Sequence, residues 1–114
     1  MIKMGQEKCE LTQNLWERLA KKWTLAVVYN LGVSKGSGFN ELRNRIGSIS
    51  PSSLVERLTE LEGMGIIKRE VIPSKPPKVL YRLTQKGEEL YKILDQLASW
   101  YLSNEETLEK SLKV

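Results

Sequence analysis

Within one short stretch the chain carries Ser50, Ser52, Ser53, Glu56, Arg57 and Thr59, and a second group, Lys75 and Lys78, stands in a proline-rich segment further on. Hydroxyls, a carboxylate and a guanidinium can exchange hydrogen bonds with base edges, and lysines can neutralise phosphates. Arg43, just upstream, adds a cation to the first group. The residues that are missing narrow the chemistry further. There is no histidine and one cysteine, Cys9, so one chain cannot assemble zinc-finger ligands, a Ser-His or Cys-His nucleophile pair, or an internal disulfide. Gly32, Gly36 and Gly38 cluster before a helix without the Lys-Ser/Thr of a phosphate loop, and read as a flexible connection. No carboxylate pair stands in an apolar stretch. The expectation is recognition without catalysis, with no metal and no cofactor.

These side chains need elements to position them. A helix is predicted over 39–46, broken by Gly47, and a second over 51–64, where Ser50 supplies the N-cap and Pro51 the first helical residue. Leu54, Leu58 and Leu61 recur at i, i+4 and i+7, which makes one apolar stripe to bury. At about 100° per residue, Ser52, Glu56, Thr59 and Gly63 fall opposite that stripe, with Ser53 and Glu60 beside them and Arg57 on the flank. A face this small and polar suits a major groove about 12 Å wide. The same face also reads as an ordinary solvated surface, or as a protein-docking surface through Glu56, Glu60 and Glu62.

Two runs, 66–72 and 78–84, then alternate in part with period two around the tip PSKPPK, and Val79, Tyr81 and Leu83 share a face. Prolines at 73, 76 and 77 stiffen the tip and remove backbone donors, which fits an exposed loop and not a central strand. Lys75 and Lys78 sit on that tip, with Lys68, Arg69 and Arg82 along the strands. Helix, turn, helix and basic hairpin in this order outline a winged helix-turn-helix, an α+β fold that is mainly α. The helix over 51–64 is the expected reader of a major groove, and the wing over 73–78 the expected contact to the minor groove or phosphates.

Flanking helices are predicted over about 12–22 and 85–113, around a core of about 23–87. Leu90, Ile93, Leu94, Leu97, Trp100 and Tyr101 form a stripe wider than a small domain needs. Leu15, Trp16 and Leu19 share one side of the N-terminal helix, so the two helices are the expected surfaces of a two-fold dimer. Ser103-Asn104 marks a bend, after which Leu108 and Leu112 continue the spacing and Lys110 and Lys113 suit a helix end.

Taken together, FNELR (39–43), ISPSSLVERLTELEGMGIIKR (49–69), the proline-rich tip and YRLTQKG (81–87) resemble the HxlR-type transcriptional regulators. KWTLAVVYNL (22–31) and Cys9 fit the N-terminal part of that pattern. The resemblance spans about residues 9–101. The chain departs from it where Glu10, instead of proline, follows the cysteine, and where Ala20-Lys21 stands in place of two glycines before Lys22. What the resemblance implies is a homodimer on a roughly palindromic operator in double-stranded DNA, with Cys9 at the family's sensing position for an oxidant or small-molecule effector.

At 114 residues the chain has room for one domain with one modest core. Eighteen Lys and Arg against 14 Asp and Glu leave a charge of +4, which favours polyanionic partners. No apolar run long enough to span a bilayer and no secretory signal is present, so the expectation is a cytoplasmic protein without membrane contact. Two other readings stay open at this level: a winged helix used as a protein-interaction module, and a non-specific nucleic-acid-binding protein.

Overall fold

The computed structural model describes residues 4–104. Five helices and one antiparallel hairpin follow in the order α1 (Met4–Leu19), α2 (Thr24–Ser34), α3 (Phe39–Ile46), α4 (Pro51–Gly63), β1 (Ile67–Ile72), β2 (Lys78–Leu83) and α5 (Gln85–Leu102). The result is a mostly helical winged helix-turn-helix with a two-stranded wing.

The helix that carries the serines forms where its local signals put it. The Ser50 hydroxyl oxygen accepts a hydrogen bond from the Ser53 amide at 3.1 Å, which satisfies one free donor at the helix start. Leu54, Leu58 and Leu61 then turn inward and are almost wholly buried against Val27, Val28 and Leu31 of α2, Leu42 of α3, and Ile49, Ile66, Ile67 and Leu83. Each such leucine stabilises the fold by about 1.5–3 kcal/mol through burial alone. Between α3 and α4 the Arg43 Nε donates to the Ile49 carbonyl at 3.2 Å, bracing the turn that sets the angle of the helix pair.

The strands pair in register from Ile67 opposite Leu83 out to Ile72 opposite Lys78. Burial falls along that ladder, from a base sunk in the core to a proline-rich tip in solvent. The base is held by Thr84, whose amide donates to the Ile66 carbonyl at 3.0 Å while its side chain caps α5 by accepting from Gly87 N at 3.1 Å. Gly87 lies so close that a Cβ there would come within 2.0 Å of the Ile66 oxygen.

Three features differ from the sequence expectation. Residues 35–38 are not a loose connection: Ser37 is fully buried and exchanges two backbone hydrogen bonds with Tyr81, at 3.0 and 2.8 Å, adding a one-residue third strand to the wing. The first helix begins at Met4, well before residue 12, and stops at Leu19. Thr12 is an interior residue whose hydroxyl donates to the Lys8 carbonyl at 2.6 Å, and the turn at 20–23 ends with Trp23 in the left-handed region at φ 81°. The stripe on α5 is divided: Leu90 and Leu94 pack on the core, whereas Ile93, Leu97, Trp100 and Tyr101 face outward. The helix ends at Leu102, where Ser103 and Asn104 side chains both donate to the Trp100 carbonyl; the continuation read at Leu108, Lys110, Leu112 and Lys113 lies outside the described residues.

Candidate nucleic-acid interface

The outer face of α4 is a strip of exposed short side chains, Ser52, Glu56 and Thr59, together with Val55, which the polar reading of this face passed over. At its start Ser50 Oγ donates to Ser53 Oγ at 2.9 Å and lies 3.3 Å from Ser52 Oγ, so the three serines form one hydroxyl cluster on the helix end. Helix and hairpin are not separate. A cleft of about 250 Å³ runs between them, with Val55, Leu58, Thr59 and Glu62 on one wall and Arg69 and Tyr81 on the other.

The cations divide into free and engaged. Lys75 and Lys78 are exposed at the wing tip, and Lys68 and Arg69 are exposed along β1. Arg82 is engaged, pairing with Glu70 at 2.9 Å and donating to the Lys35 carbonyl at 3.0 Å, which ties the wing to the end of α2. Arg57 is engaged as well: its side chain is 13% exposed and meets Glu56 and Glu60, each at 3.2 Å. Glu60 also takes Lys21 from the α1–α2 turn at 3.0 Å, so one carboxylate bridges the first two helices to α4. Pairs this close to solvent contribute little stability. They do, however, commit charge that a phosphate would otherwise meet. Arg43, half-buried, keeps its other guanidinium nitrogens while Nε braces the turn.

Away from this face, α1 presents Leu15 and Trp16 to solvent, with Leu11 beside them at 76% exposed, while Leu19 is half-buried. Outward residues of α5 line an apolar groove of about 440 Å³ with Leu25 and Tyr29 of α2. Tyr29 donates to Asp95 at 3.0 Å, and that hydrogen bond is the first cause of a phenol held above its ordinary pKa. Cys9 lies exposed on α1. Among the described residues no cluster of His, Cys, Asp and Glu could hold a metal, and no helix is long and apolar enough to cross a membrane.

A capped helix with an exposed polar face, packed beside a basic hairpin, defines the winged helix-turn-helix class of DNA-binding regulators. The HxlR-like helix-turn-helix family model matches residues 18–109, and the chain belongs to that family of transcriptional regulators. The chain is 39% identical over 84 residues to the uncharacterized HTH-type transcriptional regulator BH0655 of Halalkalibacterium halodurans, covering 74% of each chain. It is 34% identical over 97 residues to the HTH-type transcriptional regulator YodB of Bacillus subtilis, covering 85% of this chain and 86% of YodB. The reduced form of YodB superposes with a TM-score of 0.69 over 88% of this chain and 91% of that one, at 32% identity. The redox regulator HypR in its reduced form gives 0.73 over 87% and 97%, at 35% identity.

Proposed function

We propose that this transcriptional regulator binds double-stranded DNA sequence-specifically as a homodimer, with α4 in the major groove and the wing tip on the minor groove or its flanking phosphates. The observation that carries the reading is the shared cleft: the exposed face of α4 and the basic hairpin lie side by side, as a groove-reading helix and its wing must. Ser50, Ser52, Ser53, Glu56 and Arg43 then stand at the base edges and nearby backbone, and Lys75 and Lys78 at phosphates. Arg57 reaches DNA only by exchanging Glu56 or Glu60 for a phosphate.

The dimer follows from the apolar surface of α1 and α5. Leu15, Trp16, Leu19, Ile93, Leu97, Trp100 and Tyr101 supply its interface, and Leu90 and Leu94 support it from the core side. A two-fold axis there sets two reading helices about 34 Å apart, one DNA turn, and turns weak single-module attraction into discrimination. The working assay is gel retardation of genomic duplex against competitor duplex and RNA. Preferential, competitor-resistant retardation of particular duplexes supports the reading; equal retention of every nucleic acid favours a non-specific binder, and no retention favours a protein-interaction module.

A redox input is a second reading, favoured by the exposure of Cys9 on α1. HypR is described as a redox regulator, and YodB has been solved in diamide-treated and quinone-bound forms. With one cysteine per chain, a disulfide between copies of this protein can form only across two chains; the alternative is a thiol adduct.

A further inference from the structure

Resting on the DNA-binding reading above, we infer that Val55 is a specificity-determining residue that reads the 5-methyl group of thymine, with the γ-methyl of Thr59 beside it. Val55 is 52% exposed, whereas the buried stripe of the same helix, at Leu54, Leu58 and Leu61, is 0–3% exposed. Among the described residues it is the one large apolar side chain that α4 leaves in solvent. Other exposed apolar side chains group on α1, α2 and α5, or face each other across the hairpin as Val71 and Val79 do.

Its position in the helix decides what it can meet. Val55 is three residues from Ser52 and four from Thr59, so the three share one face. The Thr59 hydroxyl donates to the Val55 carbonyl at 2.8 Å, which commits its hydrogen to the helix and leaves the γ-methyl as the group free of such a bond. Two branched side chains therefore place adjacent methyl groups on a face otherwise made of hydroxyls and carboxylates. In the major groove, guanine, adenine and cytosine offer polar atoms, and only thymine offers a methyl group. Methyl against methyl removes apolar surface from water on both sides. An isopropyl group pressed on the cytosine amino group would instead strip water from a donor with nothing in return. The adjacent cleft leaves room on the wing side of Val55, with Arg69 on its far wall to meet the sugar-phosphate backbone.

The test uses the full chain. A random duplex library is enriched on the wild-type protein, and each thymine of the enriched site is replaced singly by deoxyuridine, which removes only the methyl group. Affinities are measured for wild type, Val55→Ala and Thr59→Ser; the exposure of both positions keeps these variants folded, and Thr59→Ser retains the hydroxyl bond. The expected result is about a fourfold loss for one thymine in each half-site, the worth of one buried methyl group. That dependence vanishes in Val55→Ala and shrinks in Thr59→Ser, with the slope of affinity against salt unchanged. The inference is overturned if wild type tolerates deoxyuridine at every position, if Val55→Ala keeps the same penalty, or if the enriched half-site contains no thymine. Failure to enrich or bind any duplex overturns the DNA-binding reading, and the inference with it.

Discussion

Replacing Gly87 with alanine sets two effects of opposite sign against each other. Inside a helix, alanine is favoured over glycine by about 1 kcal/mol. Against that, the new Cβ would lie 2.0 Å from the Ile66 carbonyl oxygen, 3.1 Å from its carbon and 3.2 Å from Leu83 Cβ. Carbon and oxygen approach no closer than about 3.3 Å even in weak hydrogen bonds, so α5 must withdraw from the base of the hairpin by more than an ångström. The atoms in the way are backbone and cannot swing aside. Withdrawal strains the core at about 1–3 kcal/mol and stretches the bond that the Thr84 amide donates to Ile66 O, worth about 1 kcal/mol. The net expectation is a loss of about 2 kcal/mol and a melting point lower by roughly 10 °C, since about 1 kcal/mol moves a domain of this size by 4–8 °C. Gly63→Ala is the matched control, because nothing lies within 4 Å of a Cβ there, and it should be neutral or slightly stabilising. Thermal unfolding followed by circular dichroism at one fixed protein concentration compares the three proteins. A Gly87→Ala variant that melts with or above wild type would refute the close-approach reasoning.

Lys75→Ala with Lys78→Ala should weaken duplex binding and flatten the log-log salt dependence by about 0.9 per lost phosphate contact; unchanged affinity and slope in an anisotropy titration would remove the wing from the interface. Leu97→Glu should yield a folded monomer, because Leu97 is 54% exposed in a single chain and its carboxylate would be buried only across the dimer. Light scattering and circular dichroism together read both halves of that statement, and a variant that stays dimeric refutes it. Treatment with diamide or peroxide should abolish operator binding in wild type and spare Cys9→Ser; identical curves would rule out sensing through this thiol for those oxidants. Tyr29 should ionise later than an ordinary tyrosine, since its neutral hydroxyl is held by Asp95. A folded-state pKa raised above the unfolded value contributes stability below about pH 10 that is lost as pH rises through the folded pKa. An ultraviolet titration in which Asp95→Asn leaves the tyrosine ionisation curve unmoved would contradict this.

Local signals were legible from the Ser50 cap to the Thr84 cap, but not in the first helix, which runs Met4–Leu19 where about 12–22 was expected. The Ser50 cap with Pro51, the Leu54-Leu58-Leu61 stripe, the proline-rich tip and the Thr84 cap all produced the elements they announce, because each is a pattern written in residues close along the chain. What escaped the sequence depends on distant partners. Ser37 becomes strand only because Tyr81 offers it a free backbone edge, and no residue around 37 carries that information. The candidate site divides the same way. Its residue types could be read off, but which cations are committed could not: Glu60 beside Arg57 is a helical neighbour, whereas Lys21 arrives from the α1–α2 turn. Val55 had a readable signal, since its place off the buried stripe follows from helical spacing.

The contact between α2 and α5 turns on a side chain that is absent. A Cβ at Gly32 would fall 2.1 Å from Cδ1 of Tyr91, so that ring rests on bare helix, and it also packs at 5.4 Å between centroids against Tyr29. The two positions therefore share one volume. A relative with any larger residue at the place of Gly32 must give up the ring at the place of Tyr91 or splay the helices, so a side chain at the first place should come in descent only after the ring is lost from the second. Neither position touches the proposed DNA face. Yet drift at either one would alter the angle at which α5 presents Ile93, Leu97 and Trp100, and with it which sister chains a diverging copy could still accept after gene duplication.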